Sequence, residues 1–328
     1  MAEHRPGLAQ AVGPCQMKVV WLTPYGPEKL WDPALRLRRW NVHQHLCTMG
    51  VESVFVWWCY HLSDAEVMER TLGADVVVFT EQSSREVAWM RALKAKGVTM
   101  LRDHCELLFG FENQLESFQE ADLVVCSSEV VQEQTLAKHY KQWEGTIHIP
   151  DMWEPAPLCK VSDKTQGLKA VFMGTGVPIQ MLQGALGDAV RTAGYELILI
   201  TNEDRVGTPW KADTWAELYA SADVALCPQD PTIFPGKSPV KVTQALGCGY
   251  PTIASPLRSY ASALGGGAGI IAGDVREWYD ALMRLRDPSE RLRLHVRALE
   301  RSAIYSPDAI AKQWYSAMLT QIANNNSV

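Results

Sequence analysis

Between Phe234 and Pro256 the chain reads FPGKSPVKVTQALGCGYPTIASP. Two lysines, Lys237 and Lys241, bracket a Ser-Pro pair in a protein of net charge −6. Ser238 has the side chain of an N-cap, and Pro239 suits the first helical position, where a missing N–H removes no bond. The VKVTQALG that follows has helical apolar spacing, Gly249 stops it, and PTIAS has the make-up of a short buried strand. A helix N-terminus offers unpaired N–H groups and the positive end of a dipole. With two cations beside it, the stretch is a candidate anion site. The alternative is a capped helix with solvated lysines.

Other residues could contribute. In FMGTGVP, the small residues Gly174, Thr175 and Gly176 form a strand–turn–helix junction that lets a backbone approach a phosphate or sugar. A plain tight turn is the equal alternative. VTMLRDHCELL ends a strand on Asp103 and His104, where a histidine could hold a sugar or assist proton transfer. A packed structural histidine is the other reading. Arg36, Arg38 and Arg39 sit in one helix at spacings that cannot share a face. At least one is expected to reach a cleft, with Arg38 the acceptor-side candidate and the others surface charges.

Strands and helices must position these groups. From Met17 the strands KVVWLT, ESVFVWW, DVVVFT, VTMLRD, DLVVCS and TIHIP alternate with helical segments. One helix opens with the capping box Ser63–Glu66. Asp151 to Gly167, DMWEPAPLCKVSDKTQG, is rich in Pro and polar residues and reads as a linker. Alternation restarts at KAVFMG and continues through ELILIT, DVALCP, PTIAS and GIIA. Apolar strands joined by helices predict an α/β protein with two parallel sheets facing across a cleft, where ligands sit at the carboxyl ends of strands. The expected divisions are an extension over 1–16, a first domain over 17–151, a linker over 152–167, a second domain over 168–305 and an amphipathic helix over 306–323. The extension and the tail NNNSV are expected to be disordered.

At 328 residues there is room for two domains, and 47% hydrophobic with 21% charged residues is ordinary for a globular protein. A pI near 5.8 opposes non-specific nucleic-acid binding, although Arg36, Arg38, Arg39, Lys94 and Lys96 could line one basic rim. The eight cysteines include no C-x-x-C pair and read as free thiols of a reducing cytosol, which implies a cytoplasmic protein. No apolar run has membrane-spanning length, and the first residues lack a signal pattern. No strand leads into G-x-G-x-x-G, which disfavours a nicotinamide-dependent dehydrogenase.

The succession ELYASADVALCPQD, the Lys237–Lys241 stretch and ALGCGYPTIASP resembles the GT-B glycosyltransferases, in particular their retaining, nucleotide-sugar-dependent group. LRLRRWNVHQHLCTMG, ADVVVFTEQ and ADLVVCSSEVVQE have the corresponding look in the first half. The resemblance implies two Rossmann-like domains, a donor bound mainly by the second, an acceptor bound mainly by the first, and a last helix that crosses back to the first domain. It implies that the donor diphosphate meets the helix at Ser238, Pro239 and Val240. Lys237 is then the direct cation and Lys241 points along the helix. Trp210 is then the base-stacking candidate and Asp230 a sugar contact. Glu81 and Gln82 meet the acceptor, and His104 faces the donor with Asp103 beside it.

Many members carry two glutamates eight positions apart here, one for the donor sugar and one for the ribose; this chain has Gly236 and Gln244 instead. Gln244 can hydrogen-bond a ribose, more weakly than a carboxylate. The implied activity is transfer of a hexosyl or pentosyl group from a nucleotide sugar to a hydroxyl acceptor: a glycan, a lipid-linked or small molecule, or a modified nucleic acid. Retention is implied, with the leaving phosphate as base. Neither cofactor nor metal is implied, since no Asp-x-Asp pair occurs. A catalytically silent nucleotide- or sugar-binding protein and a nucleotide-sugar epimerase are the competing readings. Oligomeric state is open.

Overall fold

A computed structural model describes residues 17–58, 61–80, 83–105, 114–139, 145–203 and 205–327. The expected disordered extension, and the acceptor candidates Glu81 and Gln82, lie outside them. The first half runs β1 (Lys18–Thr23), α1 (Pro33–Leu35), a π-type turn (Arg36–Trp40), α2 (Asn41–Thr48), β2 (Glu52–Trp57), α3 (Asp64–Thr71), β3 (Val76–Phe79), α4 (Ser84–Lys94), β4 (Thr99–His104), α5 (Gln114–Glu120), β5 (Leu123–Cys126), α6 (Glu129–His139) and β6 (Thr146–His148). The second half runs β7 (Leu168–Met173), α7 (Val177–Gln183), α8 (Ala185–Thr192), β8 (Tyr195–Ile200), α9 (Trp215–Ala220), β9 (Val224–Cys227), α10 (Val240–Gly247), β10 (Thr252–Ala254), α11 (Arg258–Ala263), β11 (Ile270–Ile271), α12 (Val275–Arg284), α13 (Pro288–Ser302) and α14 (Pro307–Asn325). The sequence expectation lacked α12 and α13, which start after the N-cap side chains of Asp274 and Asp287. The anticipated capping box of α3 is formed.

Two parallel sheets result, ordered β2-β1-β3-β4-β5-β6 and β11-β10-β9-β7-β8. Strands such as β3 and β4 are buried along their whole length, because helices cover both faces. Alternation divides the first sheet. Val20, Leu22, Val77 and Phe79 pack under α3, α4 and α5, with Val67, Trp89, Met90 and Phe118. Val19, Trp21, Val76, Val78 and Leu101 face Val42 and Leu46 of α2. Ile310, Trp314, Ala317 and Met318 of α14 complete that same layer, so the last helix finishes the first sheet's core. It runs on through Asn325, whose Nδ2 donates to Thr99 Oγ1 at 3.2 Å. The tail expected to be disordered is thus helical for two residues beyond the anticipated end, with a polar anchor on β4.

In the second sheet Ala170, Phe172, Val224 and Leu226 pack with Leu186, Val190 and Leu282. Val171 and Ala225 face Trp215, Tyr219 and Ala245 on the other side. The segment between the sheets is pinned rather than loose. Trp153 Nε1 donates to Ser302 O at 3.0 Å, and its ring lies so near Gly247 that a Cβ there would meet Cγ at 2.5 Å. We expect Gly247→Ala to cost about 1–3 kcal/mol through overpacking, read as a lower urea midpoint at unchanged slope.

Candidate functional site at the switch points

Strand order reverses between β1 and β3 in one sheet and between β7 and β9 in the other. Loops leaving strands on either side of such a reversal diverge and leave a crevice. The contacts between the two halves join segments that follow strand carboxyl ends. Ser128, after β5, donates through Oγ to Gly236 O at 3.1 Å. Ser238 donates its hydroxyl to the Asp151 carboxylate, after β6. The Arg36 guanidinium, after β1, lies 4.5 Å from the Trp210 ring centroid, after β8. The two crevices therefore face each other.

On the second-sheet side, the turn after β7 and the amino end of α10 flank the reversal. Gly174 and Gly176 have φ of +151° and +78°, conformations that an L side chain resists. A Cβ on Gly174 would meet Lys241 Cε at 2.5 Å, and the Lys241 ammonium lies 5.6 Å from the Phe172 ring centroid. Lys241 therefore crosses to the glycine turn instead of pointing along the helix. Lys237, expected as the direct cation, holds its ammonium 5.9 Å from the Phe234 ring centroid, in the loop after β9. Thr175 is exposed. The N–H of Gly176 donates to the Glu203 carboxylate, so an acid already stands at this turn.

α10 begins at Val240 with Pro239 as N-cap, one residue later than the Ser-Pro pattern predicts. Val240 N–H donates to Ser238 Oγ at 3.3 Å, so both groups expected at a diphosphate are engaged within the protein here. Gln244 is 2% exposed and cannot reach a ribose as placed. Its Oε1 accepts from Glu154 N at 2.8 Å and its Nε2 donates to Glu154 O at 3.0 Å, as a second strand would. Gly236 is buried, with its carbonyl taken by Ser128. Asp230 is half-buried and accepts at Oδ1 from the N–H and hydroxyl of Thr232, at 2.8 and 2.6 Å.

On the first-sheet side the arginines depart most from expectation. Arg38 is 1% exposed; its Nε donates to Asp103 Oδ1 at 2.5 Å, and Nη1 donates to Ile149 O at 2.6 Å and to Asp151 Oδ1 at 3.2 Å. Arg39 Nε donates to Asp103 Oδ2 at 2.7 Å. Neither is a surface charge, Arg38 has no surface to offer an acceptor, and Asp103 is spent as their shared counter-ion. Burial alone would push the Asp103 carboxyl up, but the guanidinium groups of Arg38 and then Arg39 hold it below the usual carboxylate range. His104 is 3% exposed with its ring edge-on to Phe118, 4.9 Å between centroids, which fits the packed alternative. Burial raises the thiols of Cys105, Cys126, Cys159 and Cys227 to about 12, which leaves them unreactive.

Asp151, Glu154, Glu203 and Ser128 were not anticipated. Each gains its meaning only from a partner more than twenty residues away.

The same overall fold recurs in solved structures. A glycosyltransferase from Rickettsia africae ESF-5 matches at a TM-score of 0.69 with 10% identity, over 94% of this chain and 100% of that one. AviGT4, a glycosyltransferase involved in avilamycin A biosynthesis, matches at 0.64 with 13% identity, over 94% and 98%. The fold is that of the GT-B glycosyltransferases. A protein from Listeria monocytogenes assigned as a UDP-N-acetylglucosamine 2-epimerase also matches, at 0.54 with 12% identity, over 94% and 97%. No family model matches the sequence, and no curated protein does. Among the described residues no helix is long and apolar enough to cross a membrane.

Proposed function

We propose that this GT-B chain is a glycosyltransferase that moves a sugar from a nucleoside-diphosphate donor to a hydroxyl acceptor. The observation that carries the reading is the amino end of α10 at the second switch point, with Lys241 laid against the glycine turn of β7 and Lys237 one turn before it. Both lysines and the helix end offer positive charge where a diphosphate would gather negative charge as the sugar bond breaks. In this reading the anomeric C–O bond to the β-phosphate breaks, the acceptor oxygen forms the new bond on the same face, and its proton goes to the departing phosphate. Positive charge comes from side chains and helix dipole, with neither metal nor cofactor, and Lys241 ranks ahead of Lys237. The acceptor enters from the first domain, past the loops after β1 and β3. The raised, buried thiols fit a reducing cytoplasm.

We expect the protein to bind at least one nucleoside diphosphate by calorimetry. Lys241→Ala should weaken that binding about tenfold, near 1.4 kcal/mol, and Lys237→Ala by less. Absence of binding by every diphosphate would end the reading. Product anomer, read by NMR, tests retention. A silent nucleotide-binding protein is the second reading, favoured by the engagement of Ser238 with Asp151 and of Gln244 with Glu154. It predicts binding with no transfer or hydrolysis of any nucleotide sugar.

A further inference from the structure

Arg36 leaves the first domain at the π-type turn and ends in the second. Its guanidinium lies 4.5 Å from the Trp210 ring centroid, and its Nε donates to Glu154 Oε1 at 2.8 Å. The Arg36 and Glu154 side chains are only 12% and 15% exposed. Nη1 turns back to the carbonyls of Leu30 and Trp31, at 2.8 and 3.1 Å. The backbones of the receiving residues are held independently of Arg36, and Asn41 Nδ2 also donates to Glu154 Oε1, at 3.4 Å. Gln244 fixes Glu154 through its backbone N–H and C=O, and Trp210 N–H donates to Asn202 Oδ1 at 3.1 Å. An indole face and a carboxylate are thus set for a flat, delocalised group with N–H donors in its plane.

Among nucleobases, guanine carries the same N–C(–N)–N unit. Its ring N–H and exocyclic amino group point the same way, and a carboxylate can accept from both. Uracil offers one N–H between two carbonyls whose lone pairs would face the carboxylate. Adenine and cytosine offer an amino donor beside an unprotonated ring nitrogen, which would face it too. Position agrees with chemistry: Gln244 lies three residues along α10 from Lys241, a rise of about 4.5 Å. A base at Glu154 would therefore stand within a nucleoside's length of a diphosphate at the helix's amino end.

We propose that Trp210 and Glu154 form a guanine subsite in which the Arg36 guanidinium sits as an internal surrogate, and that the donor is a guanosine-diphosphate sugar. The inference rests on the nucleotide-donor reading above and names its base. Binding then requires Arg36 to yield its place, so donor occupancy and the Arg36 tie between the domains exclude each other.

The test is calorimetric titration of GDP, UDP, ADP and CDP into the full chain, Arg36→Ala and Glu154→Gln, with circular dichroism melts to establish folding. GDP is expected to bind at least tenfold more tightly than the other three. Glu154→Gln should reduce that preference below threefold, and Arg36→Ala should tighten GDP threefold or more because its competitor is gone. If Arg36→Ala does not fold, Arg36→Lys keeps a cation without the flat stack and serves the same comparison. A different diphosphate that binds as tightly, with Lys241 still needed, would overturn the guanine subsite and leave the donor reading intact. Equal weakening of all four in Arg36→Ala would make Arg36 a strut and overturn the exchange. No binding of any diphosphate would remove the donor reading itself.

Discussion

Asp103→Asn should cost about 3–5 kcal/mol, seen as an earlier denaturant transition of the first domain. The carboxylate has no exposed surface and is the shared counter-ion of Arg38 and Arg39, whose side chains are 0% and 6% exposed. Asparagine preserves shape but leaves two guanidinium groups facing a neutral amide in the interior. Asp151, at 3.2 Å from Arg38, offsets only part of that loss. The pH dependence checks the cause. The folded carboxyl titrates below its unfolded value near 3.9, so its contribution is complete above about pH 4 to 5 and fades as pH falls through the folded value. The gap between wild type and variant should therefore be constant near neutrality and narrow in acid. A gap that widened on acidification would refute the assignment.

Trp314→Ala should be of similar size, about 3–5 kcal/mol, and should act on the same transition. The ring is fully buried, 5.3 Å from the Trp21 ring, with the Arg38 guanidinium 5.6 Å from its centroid. Truncation leaves a cavity between α14 and the first sheet and also removes the aromatic face beside a buried cation. Trp314→Phe keeps most of the packing and should be far milder. Because Arg38 touches both sites, the double variant with Asp103→Asn should not show the sum of the two losses. Strict additivity would mean that α14 and the charge cluster are independent.

The sequence made the sheets readable for a physical reason. Parallel strands covered on both faces must be apolar throughout, and runs such as DVVVFT and DLVVCS announce themselves. Gly50 and Gly97 mark helix ends because each takes a positive φ. The site was less legible. Arg38 and Arg39 in LRLRRW have the look of solvated charge, and only a carboxylate more than sixty residues downstream makes their burial tolerable. Ser238 has every local mark of an N-cap, yet Asp151 draws its hydroxyl and the helix starts at Val240. Gln244 occupies the position expected of a ribose ligand but pairs with a linker backbone. The composition of MWEPAP gives no sign that Glu154 is held this way. Periodicity reports which face is buried. It does not report which polar partner a distant segment supplies.

The docking of α14 on the first sheet also bears on how the protein is made. Ile310, Trp314 and Met318 leave the ribosome more than 150 residues after Ile149, a wait of roughly 8–30 s at about 5–20 residues per second. For that interval Val19, Trp21 and Leu101 lack the helix that covers them, while the whole second sheet is still being synthesised. The nascent first half thus carries a sticky apolar surface that closes only once α14 has emerged. Chaperone demand during synthesis, and aggregation of chains that stop before Pro307, are the costs of letting the last helix seal the first fold.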